Sequence, residues 1–182
     1  MTANKTHTTA VVLIPPEEVW EPIQALRRVY DRNFNRWMPH ITLLYPFAER
    51  SDFPHVTPIL ETVAAQIKPF QCQLSQFDHF RHRRSCTIFL RPVPEEPVTD
   101  LHASLLKALP DYNDTATYPD GFHPHLSIGQ FRHQQVQHAQ QKLQSDWTPI
   151  KFEVKAVFVI NRMPETADRF VVVETLALGG SA

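Results

Sequence analysis

The chain has 182 residues, 42% hydrophobic and 20% charged, which suits one globular domain or two small lobes sharing a core. Eighteen Lys+Arg against nineteen Asp+Glu leave a formal charge of −1, so a broadly basic nucleic-acid coat is excluded. Four glycines, none in a Gly-x-Gly-x-x-Gly or Gly-x-x-x-x-Gly-Lys pattern, exclude a dinucleotide fingerprint and a P-loop.

Taken in order, Thr8 to Ile14 is rich in β-branched residues and reads as a buried strand ended by Pro15-Pro16. Its apolar stretch is too short for a signal-peptide core or a membrane span, so the expectation is a cytoplasmic protein without membrane attachment. Cys72 and Cys86 are then reduced, packing as small hydrophobes. Glu17 to Phe34 carries Val19, Ile23, Leu26 and Tyr30 at helical spacing, with Pro22 making its early part uncertain. A short extended segment, Pro39 to Phe47, follows, and Pro58 to Ile67 reads as a second helix with Pro58 at its start.

Phe70 to Phe80 and Cys86 to Leu90 read as two strands joined by the basic turn Arg81-His82-Arg83-Arg84. Pro97 to Leu109 is a third helix with one apolar stripe, and Asp111 to Asp120 is a loop. His123 to Phe131 is extended, and Gln134 to Leu143 is a polar helix. Lys151 to Asn161 and Arg169 to Leu178 read as two long strands before a Gly179-Gly180-Ser181-Ala182 tail. Hairpin-like strand pairs among interleaved helices predict an α+β fold with antiparallel sheets, undivided by any low-complexity linker over residues 1–182.

One pattern rises above this background. Pro39-His40-Ile41-Thr42-Leu43 recurs as Pro124-His125-Leu126-Ser127-Ile128. Composition arithmetic gives a shuffled chain about a 0.01 chance of one such pentamer, so two copies point to a duplicated device. Alternation along a strand puts His40 and Thr42 on one face and Ile41 and Leu43 on the other, and likewise His125 and Ser127 against Leu126 and Ile128. The same parity places Phe131 with His125, and Tyr45 with the buried set. Two imidazoles titrating near pH 6.5 can act as base and acid, and two hydroxyls can donate to non-bridging phosphoryl oxygens. The set therefore suits in-line displacement at a phosphodiester, with no metal or other cofactor required. The motif leaves open which imidazole is base and which is acid. A lone strand histidine is more often structural, and it is the duplication that reverses this for His40 and His125.

These residues resemble the two-histidine phosphoesterase superfamily, in the branch of 2′-5′ RNA ligase-like proteins and cyclic nucleotide phosphodiesterases. The resemblance rests on His40-Ile41-Thr42 and His125-Leu126-Ser127 and on their extended forms PHITLLYPF and HPHLSIGQF. It implies a bilobal α+β fold with pseudo-two-fold symmetry, two antiparallel sheets about a central cleft, and helices outside. It also implies metal-independent hydrolysis of 2′,3′-cyclic phosphates or related RNA-end and 2′-5′ linkages. His40 and His125 would be the acid/base pair, and Thr42 and Ser127 the phosphate clamps. RNA ends or small cyclic nucleotides are the expected partners of a monomer. Phe131 is a candidate for base stacking, and Arg83 and Arg84 are candidates for contacting an RNA backbone. Two other readings compete: a nucleotide- or RNA-binding module that kept the cleft without catalysis, and a metal-dependent hydrolase centred on His123-Pro124-His125.

Overall fold

A computed structural model describes residues 4–118, 120–163, 165 and 167–179; residues 1–3, Pro119, Pro164, Thr166 and the tail from residue 180 lie outside the described residues. The elements alternate as the sequence predicts, in the order β1 (Lys5–Thr6), β2 (Thr9–Leu13), α1 (Trp20–Tyr30), β3 (Ile41–Leu44), β4 (Phe47–Ala48), α2 (Phe53–Gln66), β5 (Phe70–Arg81), β6 (Cys86–Val93), α3 (Glu96–Ala108), β7 (Leu126–Phe131), α4 (Val136–Asp146), β8 (Ile150–Val154), β9 (Ala156–Met163) and β10 (Ala167–Ala177). Strands β1 and β4 form a small antiparallel pair. The other eight lie in the order β10-β9-β2-β3-β7-β6-β5-β8, with every pairing antiparallel.

That order has an internal symmetry. Among the described residues, the half β10-β9-β2-β3 and the half β7-β6-β5-β8 pair strand to strand where β3 touches β7, at Ile41 and Leu126. In each half a strand–helix–strand unit, β2-α1-β3 or β6-α3-β7, supplies the two innermost strands. The fold is thus α+β, one curled antiparallel sheet made of two four-stranded halves related by a pseudo-two-fold, and the repeated pentamers lie beside its axis.

The main core lies between the sheets and the helices, with Ile23, Leu60, Val98 and Leu101 packed on Val11, Leu13, Ile41, Leu74 and Leu126. A second, smaller cluster occupies the other face of the first half: Ala10, Val12, Met38, Ile160 and Phe170, covered in part by Trp37 and Tyr45. Strand β2 is buried on both faces, which is why it reads as an unbroken apolar run instead of an alternating one.

Several boundaries differ from expectation for identifiable reasons. Helix α1 stops at Tyr30 because Asp31 turns extended, while Pro22 is accommodated in the first turn, where no backbone N–H is needed. Helix α2 begins at Phe53, with Pro54 as its starting proline. Pro58 falls inside and removes one backbone bond, a cost offset by burying Val56, Leu60, Val63 and Ala64. The loop after α3 holds two short 3₁₀ turns, Pro110–Tyr112 and Asp114–Thr117, and α4 runs Val136–Asp146.

The stretch expected as one strand from Lys151 breaks at Lys155 into β8 and β9, which pair with β5 and β2 at opposite sides of the array. The signal was present: residues of the main core fall on even positions at Ile150, Phe152 and Val154, then on odd ones at Val157 and Val159, with Ile160 buried in the second cluster on the other face. Here the chain crosses from one lobe to the other.

Candidate active site

Strand register brings the two motifs together. Ile41 pairs with Leu126 in an antiparallel ladder, so one residue in either direction sets His40 opposite Ser127 and Thr42 opposite His125. Directly opposed side chains share a face with Cβ atoms about 4.5–5.5 Å apart. The apolar partners Ile41, Leu43, Leu126 and Ile128 are all buried in the main core, which turns the histidines and hydroxyls to the other side. Both histidines stand one residue ahead of the strand proper.

There a cleft of about 620 Å³ opens, lined by His40, Thr42 and Ser127, by Trp37, Tyr45 and Gln130, and by the β5–β6 hairpin residues from His82 to Ser85. Arg83 and Arg84 are exposed at its mouth, so the basic turn borders the motif face.

Each imidazole is anchored in the same way. His40 Nδ1–H donates to the Met38 carbonyl at 2.7 Å, and His125 Nδ1–H donates to the His123 carbonyl at 2.8 Å. A carbonyl only accepts, so Nδ1 carries the proton at both rings and Nε2 is left as the working nitrogen. Rings pack beside them: Trp37 stacks on His40 at 4.6 Å between centroids, while Phe80 and Phe89 lie 4.8 and 5.3 Å from His125. This burial pushes the His40 pKa down to about 4, helped by the Arg27 and His125 charges and opposed by the Met38 hydrogen bond and Asp31. The His125 pKa is lowered too, chiefly by burial, against the hydrogen bond to His123. Among the described residues, neither the Thr42 nor the Ser127 hydroxyl has a hydrogen-bond partner, which leaves both as donors for an anion in the cleft.

An ion pair that sequence reading missed also lines the cleft. Arg27 donates from Nε at 3.1 Å and Nη2 at 2.8 Å to Asp31 Oδ2, and Nη2 also reaches the Trp37 carbonyl at 3.0 Å. Asp31 Oδ1 accepts from the Asn33 backbone N–H at 2.9 Å and from Gln130 Nε2 at 3.3 Å, while Gln130 Oε1 accepts from the Arg32 N–H at 3.1 Å. Helix α1 of one lobe is thereby tied to the motif strand of the other. An i, i+4 Arg–Asp pair within a helix ordinarily signals a solvated face, so nothing in the spacing distinguished this one.

Strict alternation failed twice, in the same way. Strand β3 carries an extra residue between Thr42 and Leu44 against β2, and β7 carries one between Ser127 and Gly129 against β6. Each bulge flips the parity of the residues beyond it. Tyr45 therefore reaches the cleft instead of packing in the main core, and Gln130 reaches it where Phe131 was expected. Phe131 turns to the helix face, its ring 5.0 Å from Tyr30. Gly129 faces the same way: a Cβ there would lie 2.5 Å from the Tyr30 carbonyl oxygen. Sheet and α1 touch so closely that only glycine fits.

His123 is exposed beside Phe80, and among the described residues no three His, Cys, Asp or Glu side chains converge as a metal site. Cys72 and Cys86 are buried free thiols. No described helix is long and apolar enough to cross a membrane.

Comparison with known proteins adds to this geometry. Residues 15–164 match the family model described as the 2′-5′ RNA ligase superfamily. A protein of Geobacillus kaustophilus named as a candidate phosphoesterase is 30% identical over 121 residues, 65% of this chain and 66% of that protein. One of Oceanobacillus iheyensis, named likewise, is 27% identical over 121 residues, 66% of this chain and 68% of its own length. Among solved structures, TT0787 of Thermus thermophilus superposes with a TM-score of 0.62 at 18% identity, covering 96% of this chain and all (100%) of that one. E. coli LigT complexed with 3′-AMP gives 0.57 at 16% identity, covering 97% and 100%. At these identities the structural likeness speaks for the fold.

Proposed function

The chain belongs to the 2′-5′ RNA ligase superfamily, and from that premise we propose that it is a metal-independent phosphodiesterase acting on 2′,3′-cyclic phosphates at RNA ends or on small cyclic nucleotides. The observation that carries this reading is the Ile41–Leu126 ladder pair, which makes the two motif strands neighbours, with His40, Thr42 and Ser127 lining the cleft and His125 packed against Phe80 and Phe89 beside it. The 3′-AMP bound by a structural neighbour supports a nucleotide end as the ligand class.

In this mechanism Thr42 and Ser127 donate to the non-bridging oxygens of the cyclic phosphate. The Nε2 of one histidine takes a proton from water as its oxygen attacks phosphorus. The other histidine delivers a proton to the departing ribose oxygen, so one P–O bond forms as one breaks. Both rings are neutral near pH 7 in the empty cleft because burial disfavours their charge. A bound phosphodiester anion favours the charged form of the ring beside it, so one histidine takes up a proton from solvent as the substrate binds and later delivers it to the leaving oxygen. With a 5′-hydroxyl replacing water the same step joins two RNA ends through a 2′-5′ linkage. Arg83 and Arg84 at the mouth contribute charge for the backbone leading to the reacting end.

Replacing His40 or His125 by Ala tests the reading on 2′,3′-cyclic mononucleotides in EDTA. Each removes about 10²–10⁴ in kcat while circular dichroism and nucleotide affinity persist. Wild-type rates in both variants end it. Binding without turnover in the unmodified protein would favour a non-catalytic module instead.

A further inference from the structure

A second hollow of about 600 Å³ lies on the other side of β7, between α1, the end of β7 and α4. Tyr30, Phe131 and Trp147, with Leu26 beside them, give it an apolar, largely aromatic floor, and Arg132 and Lys142 stand at its rim. Gln130 lines both this hollow and the cleft, so the two openings adjoin across the ridge where Gln130 is bonded to Asp31 and Arg32. Arg32 borders the cleft side of that ridge and Arg132 the far side.

We propose that this hollow holds a second nucleotide of the same strand, so that the enzyme prefers an oligonucleotide end over a mononucleotide. The inference rests on the phosphodiesterase reading given above. Aromatic surface flanked by cations is what a nucleotide requires: a base to stack and a phosphate to neutralise. Tyr30 and Phe131 are half-buried and tilted at 36° to one another, leaving ring surface open to the hollow. Arg132 is exposed and has no ion-pair partner among the described residues. Lys142 pairs with Asp146 at 3.3 Å, but both are largely exposed and such pairs exchange readily for a phosphate. The whole chain carries a formal charge of −1, yet Arg32, Arg83, Arg84 and Arg132 gather around these two openings. That local excess complements a polyanion running from the cleft over the ridge.

The test compares uridine 2′,3′-cyclic phosphate with a 5′-labelled tetrauridylate ending in the same group, using the full chain and the exposed-site variants Arg132→Glu and Lys142→Glu. Wild type should show KM for the tetranucleotide at least about tenfold lower, the gain expected of one stacked base with its phosphate. Each variant should lose most of that advantage while its kcat/KM on the mononucleotide stays within about twofold. The log–log salt slope for tetranucleotide binding by anisotropy should also flatten by about 0.7, one phosphate contact on a single strand. Equal KM values for the two substrates in wild type, or variants that keep the tetranucleotide advantage, overturn the proposal. If neither substrate is turned over, the phosphodiesterase reading falls, and the anisotropy arm still decides the hollow: unchanged affinity in Arg132→Glu rejects it.

Discussion

Asp31 offers a demanding check on how the cleft is held. Its two oxygens accept four hydrogen bonds, from Arg27 Nε and Nη2 on one side and from Asn33 N–H and Gln130 Nε2 on the other. Both side chains of the Arg27–Asp31 pair are 3% exposed. Asp31→Asn keeps the shape, yet its amide must turn an NH₂ toward one of those donor pairs and leaves the Arg27 charge unpaired. Breaking a buried pair from one side costs about 3–5 kcal/mol. At about 2–4 °C per kcal/mol for a chain of this size, the melting temperature should fall by roughly 6–20 °C. Asp31 also favours the protonated form of His40, so losing its charge should move the His40 titration further down. Thermal melts by circular dichroism and histidine NMR titrations read the two effects. A melting temperature within about 2 °C of wild type would refute the claim that this pair ties α1 to the second motif strand.

Gly129→Ala should destabilise by about 1–3 kcal/mol, since the new methyl meets the Tyr30 backbone; a urea midpoint unmoved by the change would contradict the close approach. Acid should weaken the fold in a defined window. His40 and His102 both have pKa values lowered to about 4 by burial, against an ordinary 6.5, so the unfolded chain binds protons first as pH drops. Stability is therefore full above about pH 6.5, declines toward pH 4 and then stops responding to these groups; His102→Phe should flatten part of that slope in pH-dependent melts. Thr42→Val and Ser127→Ala should each lower kcat by about 10²-fold or more with little change in folding, as expected for lost donors to developing charge; a change confined to KM would make them ordinary binding groups.

Much of this molecule was legible in its residues alone. Alternation and duplication set Ile41, Leu43, Leu126 and Ile128 on the buried face opposite the histidines and hydroxyls, because a strand with one buried face writes that fact into residue type. The hairpin carrying Arg83 and Arg84 was equally visible, bounded by β-rich runs. What escaped depended on partners distant in the chain. A one-residue bulge in each motif strand is defined only against β2 or β6, so alternation alone puts Tyr45 on the wrong face, passes over Gln130 and places Phe131 with His125. Trp37 and the Arg27–Asp31 pair acquire their roles from the fold of residues 31–38 over the cleft, which no period records. The break at Lys155 was written in a parity change, but a continuous β-rich stretch masked it.

The central claim is that one phosphate engages both imidazoles at once. Long-range ¹H–¹⁵N spectra of the histidine rings, recorded while a nucleoside 3′-monophosphate is titrated in with EDTA present, test it most directly. The Nε2 signals of His40 and His125 should move together, saturate with a single Kd and shift toward the protonated form, while both Nδ1 signals stay those of protonated nitrogens. Movement of one ring alone, or two rings saturating at different concentrations, would mean that the histidines serve separate places.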